Sequence, residues 1–342
     1  MAPSQPRLSS LKSFDFSTTD WRDSLRGALV TAIVTAIPVL NGDPKLAIPL
    51  SIGAVFAAVS EAGQPFGSRW KTMLWTTAGL MGAAFLGQSL SDLTLLAIIV
   101  TAPVAFLTGV IGARGRRAAV GGLLALVIFS IYVGIPVPLQ DAPTTVLLVG
   151  LGGVTQTIVT IAMGVLRGQH REPSSVEPKK SGWNRPFVIH GIRLAIVMVI
   201  ATAISENISL PHPYWLPMSV AWMSKPDTDG TVDRVMHRLA GTVLGLTAMG
   251  IIDVLFRPSG GGYLVVSLIG AAITIAFIWV NYAVAVTGVT MWIIAIFAMV
   301  GDPVVSTIEI RLAATCAAAL LVVLVTWLPA LASRKKLPTS QS

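Results

Sequence analysis

Twelve apolar segments, parted by short turns of Gly, Pro and charged residues, consume almost the whole of this 342-residue chain. They run roughly over 24–40, 46–60, 70–88, 92–112, 118–134 and 144–166, and again over 188–205, 212–224, 235–255, 262–280, 282–300 and 305–330. A lipid environment demands that backbone polar groups be bonded inside the protein, which helices achieve within one segment. The expected fold is therefore an all-α polytopic membrane protein with about twelve transmembrane helices. A full span needs about 20 apolar residues, so 46–60 and 212–224 are too short to cross unaided. Each contains a proline, Pro49 or Pro217, and each is expected as a broken or bundle-interior helix whose freed backbone groups are satisfied by neighbours.

Charge tests this segmentation, because Lys and Arg gather on the cytoplasmic connections. With the N-terminus in the cytoplasm, 21 of the 24 cations fall there, leaving Lys45, Arg257 and Arg311 on the other side. Both termini are then cytoplasmic. Charged residues make up 12% of the chain, about half the share of a soluble domain, and no stretch is left for a soluble catalytic domain. The net charge of +8 needs no nucleic-acid partner, since the anionic leaflet of the bilayer accounts for it. The polar residues Met1–Ser13, followed by Asp15, Asp20 and Asp23, do not read as a cleavable signal peptide. A single cysteine, Cys316, excludes a disulfide framework and a Cys-rich zinc site and reads as a small packing residue. No cofactor, no metal and no enzymatic activity are expected.

Arg26 and Arg193 lie 167 positions apart and open similar runs, Arg-Gly-Ala-Leu-Val-Thr-Ala-Ile-Val and Arg-Leu-Ala-Ile-Val-Met-Val-Ile-Ala. Pro49-Leu50-Ser51 answers Pro217-Met218-Ser219, and Gly134-Ile135-Pro136 answers Gly301-Asp302-Pro303. The spacing predicts two six-helix repeats, parallel because an even number of helices starts both on the same side. The organisation expected is a disordered cytoplasmic N-terminus (1–20), a first membrane repeat (21–167), a polar linker (168–182), a second repeat (183–332) and a basic cytoplasmic tail (333–342). Twelve helices equal the total of a dimer of six-helix units, so a monomer suffices and an oligomer stays open.

The sharpest local pattern is His212-Pro213-Tyr214-Trp215-Leu216-Pro217, then Lys225-Pro226-Asp227-Thr228-Asp229-Gly230-Thr231, then Arg234, Arg238, Gly241, Thr242 and Gly245. Together with Glu309-x-Arg311-x-x-x-Thr315, it resembles the fusaric acid resistance family of membrane proteins. The resemblance covers Arg193 to about Pro329 and extends more faintly over the first half. Lys225 stands where that family usually has Arg, and the large cytoplasmic domains of its longer members are missing. The resemblance implies a six-helix unit used twice and export of aromatic carboxylic acids or similar small anions. The membrane unit is also similar to that of the plant aluminium-activated malate channels, which implies a channel instead.

Several residues are candidates for handling an anion. Arg311 sits where the positive-inside rule disfavours it, and an arginine inside the membrane costs about 2.5–3.5 kcal/mol on insertion scales. It is expected either to hold an anionic ligand or to snorkel to the outer interface against Asp302 or Asp253. Arg193 and Arg26 could form a paired cationic entrance for a carboxylate, guanidinium being suited to it by its fork, or serve as plain anchors. Arg234 and Arg238, at i and i+4, repel unless an anion lies between; Asp227 or Asp229 would supply it as a structural clamp or gate, or the substrate itself would. Lys225, Trp222, Trp279 and Asn281 complete the substrate-binding set, the aromatics stacking an aromatic substrate or forming an interfacial belt. His190, Glu206 and Glu309 are the candidates for proton coupling. Gly241-x-x-x-Gly245, like Gly79 and Gly82, signals close helix packing.

Three functions remain on this reading: a proton-driven exporter of small organic anions, an anion channel or uniporter, and a non-transporting scaffold or accessory subunit. The chain lacks a Gly-x-x-x-x-Gly-Lys-[Ser/Thr] loop for ATP. The localisation expected is the cell (inner) membrane, crossed many times.

Overall fold

A computed structural model of the chain describes residues 11, 13–16, 21–61, 64–136, 138–169, 184–209 and 211–334. Most of the expected N-terminal, linker and tail segments lie outside the described residues. The described residues form twelve α-helices. The first six are α1 (Trp21–Leu40), α2 (Pro44–Ser60), α3 (Phe66–Leu90), α4 (Thr94–Ile111), α5 (Arg116–Val133) and α6 (Ala142–Leu166). The others are α7 (Arg185–Asn207), α8 (Trp215–Met223), α9 (Thr228–Phe256), α10 (Gly260–Phe277), α11 (Tyr282–Met299) and α12 (Val304–Arg334). Nine of them are long and apolar enough to cross a membrane, and the chain is a multi-pass membrane protein. The twelve helices expected are present, and α2, α3 and α8 are the three that fall short of a span by length or apolarity. α2 has 17 residues and α8 only 9, while α3, though 25 residues long, carries Arg69, Lys71, Gln88 and several Thr, Gly and Ser.

Local chemistry sets the boundaries. Pro44, Pro143 and Pro186 occupy the first turns of α2, α6 and α7, where a missing N–H costs nothing. Asp227 accepts a hydrogen bond from the Gly230 amide and starts α9, and Asn281 accepts from the amides of Ala283 and Val284 at the start of α11. These are side-chain caps that satisfy donors a helix leaves unpaired.

Within the first six helices α1 packs on α2, α2 on α6, α3 on α5 and α6. Within the second six, α7 packs on α8, α8 on α12, and α9 on α11 and α12. The two sets are joined by α4 against α7 and by α1 against α10. Glycines permit the closest approaches. A Cβ on Gly53 of α2 would lie 2.0 Å from the Val149 carbonyl of α6, and one on Gly109 of α4 would lie 2.4 Å from Gly191 of α7. Gly241 and Gly245 behave as expected, meeting the Ala283 and Thr287 carbonyls of α11. Gly79 and Gly82 do not, since a Cβ on either would meet nothing within 4 Å. Cys316 is exposed on α12, so the expected packing role is corrected. The short helices are interior: every residue of α8 is buried, as is nearly all of α2 from Ala47 onward.

Candidate functional site

The two ends of the bundle differ in charge. At one end the start of α1, the end of α2, the start of α3 and the end of α6 meet through ions. Asp23 accepts from Arg26 (2.9 Å), from Arg69 and from Arg167 (3.3 Å), and Arg26 also donates to Glu61. Arg116 at the start of α5 lies over the Trp279 ring (4.2 Å), and the Trp279 Nε1–H donates to the Val59 carbonyl. At the opposite end His212 Nε2 faces Asp302 (3.1 Å), its Nδ1 faces the Tyr214 hydroxyl (3.1 Å), and its ring stacks on Trp215 at 4.6 Å. Burial pushes the His212 imidazole below its ordinary value, against the pull of Asp302.

Between these ends, α2 and α5 from the first six helices face α8 and α11 from the second across an apolar cavity of about 70 Å³. Its wall includes Val55, Phe56, Tyr132, Trp215, Trp222, Arg238 and Trp292. The polar atoms of that wall are mostly donors. Tyr132 Oη, Trp215 Nε1, Trp292 Nε1 and Arg238 Nε and Nη2 are all buried without a hydrogen-bond partner. Buried polar groups are nearly always bonded, so an acceptor is what this wall lacks.

Beside the cavity lies the most deeply buried cation among the described residues. Arg311 is 0% exposed, its Nε, Nη1 and Nη2 all lack partners, and its guanidinium lies 5.1 Å from the Trp215 ring centre. Arg238 is 1% exposed, with one long contact to the Tyr282 hydroxyl (3.4 Å) and the Trp222 ring at 5.9 Å. Arg238 is ten residues into α9 and Arg311 seven residues into α12, about 15 Å and 10 Å from opposite ends at 1.5 Å per residue. Both thus lie two to three turns inside their helices rather than at the ends. Neither has an acidic partner among the described residues. The snorkelling alternative for Arg311 is therefore corrected: Asp302 faces His212, and Asp253 accepts from Tyr263.

The structure places the other candidates as follows. Trp222 lines the cavity, edge-on to Phe56 at 6.3 Å. Arg193 does not form an entrance with Arg26; it donates to the Lys225 and Pro226 carbonyls at the end of α8, while Arg26 is spent on Asp23 and Glu61. What separates Arg234 from Arg238 is not a carboxylate but Tyr282, whose ring lies 3.3 Å from the Arg234 guanidinium. Asp227 caps α9, and Asp229 is exposed in its first turn. Asn281 and Trp279 have structural duties, since the Asn281 amide nitrogen also donates to the Leu11 and Ser13 carbonyls. Lys225 lies in the α8–α9 turn near Thr231, its ammonium pushed down by burial. His190 is buried beside Arg193, away from the cavity wall. Glu206 pairs with Thr94 at 3.5 Å on the periphery, and Glu309 is exposed. Neither carboxylate reaches the cavity.

Glu61 was missed at the sequence level, and it is the buried carboxylate that matters for pH. Burial, opposed by Arg26, pushes it from 4.5 up to about 7. A carboxyl whose folded value is raised binds its proton more tightly when folded, so its stabilising contribution is complete below about pH 4.5 and is lost as pH rises through about 7. The melting temperature of the purified protein is expected to fall between pH 5 and 8, and Glu61→Gln to flatten that slope. An unchanged slope in the variant would assign the dependence elsewhere.

Residues 196–325 match the model of the fusaric acid resistance protein-like family. Among curated relatives, the inner membrane protein YccS of Escherichia coli (strain K12) is 30% identical over 113 residues, 33% of this chain and 16% of its own length. An uncharacterized protein of Synechocystis sp., slr1298, is 29% identical over 125 residues, 36% of this chain and 16% of its own. An uncharacterized transporter of Salmonella typhimurium, YdhK, is 35% identical over 63 residues, 18% of this chain and 9% of its own. The matched segment thus spans about a sixth or less of each of these relatives. No solved structure matches.

Proposed function

We propose that this protein, whose residues 196–325 match the model of the fusaric acid resistance protein-like family, is an inner-membrane transporter that carries small organic anions, aromatic carboxylic acids among them. The observation that carries this reading is the pair Arg238 and Arg311, buried without an acidic partner among the described residues beside a cavity walled by donors and aromatic rings. A carboxylate supplies the acceptors these groups lack, and an aromatic ring fits among Phe56, Trp215, Trp222 and Trp292. The similarity to YdhK, an uncharacterized transporter, is in keeping.

The same reading takes the chain as two parallel six-helix units, with the cation-rich end in the cytoplasm. Support comes from the recurrence of the pairings α1–α2, α2–α6, α3–α5 and α3–α6 as α7–α8, α8–α12, α9–α11 and α9–α12. The joining contacts α4–α7 and α1–α10 exchange under the same correspondence. The cavity then lies where α2 and α5 meet their counterparts α8 and α11, at the axis relating the units. At 70 Å³ it holds about two waters, and a benzene-sized ligand needs roughly twice that. Transport therefore requires α8 and α11 to move relative to α2 and α5.

A channel or uniporter is favoured by one observation: no Asp or Glu is among the described residues that line the cavity. Reconstitution separates the two. Labelled benzoate is expected to enter proteoliposomes faster when a pH gradient is imposed. Gradient-independent flux would assign a uniporter, and no flux of any organic anion would leave only a scaffold.

A further inference from the structure

A groove of about 550 Å³, far roomier than the central cavity, lies between α3 and α5 on the outside of the bundle. Its α3 wall carries Lys71, Trp75 and Gly79 at intervals of four, flanked by Ser68, Thr72 and Thr76. Its α5 wall carries Arg117, Gly121 and Gly122. Residues four apart stack on one helix face, so each wall has a polar end and a smooth apolar continuation. The two helices touch tightly further along, where a Cβ on Gly87 would lie 2.7 Å from the Phe129 carbonyl. They diverge toward the cations: a Cβ on Gly79 would meet nothing within 4 Å, and one on Gly121 only the Thr76 hydroxyl at 3.7 Å. These glycines keep a surface channel open rather than a helix contact closed.

The groove is shaped and charged for one kind of occupant. From Ser68 to Gly79 it runs about 16 Å along the helix axis, roughly the depth of one leaflet of a 30 Å core. Trp75 is 79% exposed and Leu74 39% exposed at its rim, which in a multi-pass bundle is the lipid-facing side. Two cations, Lys71 and Arg117, line it together with the hydroxyls of Ser68, Thr72 and Thr76, and no acidic residue is among the described residues of its wall. Lys71 also lies 5.5 Å from the Trp70 ring, an interfacial arrangement.

We propose that this groove binds one anionic phospholipid, its phosphate and anionic headgroup between Lys71 and Arg117 and an acyl chain along Gly79, Gly121 and Gly122. The acyl chain fills the space that the divergent helices leave, and the two cations select against zwitterionic headgroups. This site is separate from the buried cation pair Arg238 and Arg311 and stands whether or not the protein transports anything.

The test is native mass spectrometry and thermal melting of the full chain in detergent, titrated with phosphatidylglycerol, with phosphatidylcholine of the same acyl chains, and with inorganic phosphate. One phosphatidylglycerol is expected to be retained with about tenfold preference over phosphatidylcholine, two cations near an anionic headgroup being worth that factor or more, and to raise the melting temperature. Gly79→Leu, which has room for its side chain, is expected to weaken retention about tenfold with melting in phosphatidylcholine unchanged. Lys71→Gln with Arg117→Gln is expected to abolish the headgroup preference. Equal retention of the two lipids by the unaltered chain would overturn the proposal without recourse to any variant. So would a melting shift produced equally by inorganic phosphate, or full retention in Gly79→Leu.

Discussion

Replacing Arg311 by methionine is expected to cut organic-anion flux about 10- to 100-fold at low substrate, the loss of charge-assisted hydrogen bonds worth roughly 1.5–3 kcal/mol. The same change is expected to raise, not lower, the stability of the protein. Arg311 is fully buried, its three guanidinium nitrogens have no partner, and the nearest comparable charge is another cation, Arg238. Replacing buried charges by apolar residues of similar volume is often stabilising by about 1–4 kcal/mol, and here no paired carboxylate would be left behind. A residue that costs stability and repays nothing structurally is one whose partner arrives from outside. Uptake assays and melting curves on the same purified variant measure both quantities. Undiminished flux would remove Arg311 from the pathway, and a lowered melting temperature would mean that it has a structural partner.

Much of the fold was legible because a membrane span is a long signal in apolar residues. The apolar segment at 235–255 begins about seven residues after α9 itself, because Asp229, Asp233 and Arg234 interrupt the apolar run, whereas the Asp227 cap begins the helix at Thr228. That displacement also hid Arg238. Read as a cytoplasmic clamp, it lies instead about 15 Å inside on the cavity wall. Arg311 was legible because it broke a charge rule, a property of sequence alone. Asn281 was misread for the opposite reason: an Asn opening an apolar run is a helix cap first, and its amide is spent on Ala283, Val284 and the carbonyls of Leu11 and Ser13. Tyr132 carries no sequence signal for its place on the wall. Only the packing of α5 against α8 brings it opposite Tyr214 and Trp215. Gly79 and Gly82 show the limit of small-residue spacing, which permits close approach without requiring it.

The second large effect is expected at the cation-rich end, where Asp23→Ala should destabilise the protein by about 3–5 kcal/mol, the cost of removing one partner from a buried ionic group. Asp23 accepts from Arg26, Arg69 and Arg167, so a single carboxylate fastens α1 to α3 and to the end of α6, and Arg26 carries the link to Glu61 after α2. Without it three guanidinium groups face each other with Glu61 alone, and Glu61 is itself biased toward protonation by burial. The counterpart position in the second half gives the control. Arg193 donates to two backbone carbonyls at the end of α8 and is half-buried, so Arg193→Ala should cost only about 1–2 kcal/mol. Two arginines at matching places in the sequence thus hold their helices by different chemistry, an ion cluster in one half and a helix-end carbonyl clamp in the other. Denaturant titration of both variants in one detergent compares them directly. A loss below about 1 kcal/mol for Asp23→Ala, the scale of an exposed pair, would mean that water reaches the cluster and that the four helix ends are held by packing alone.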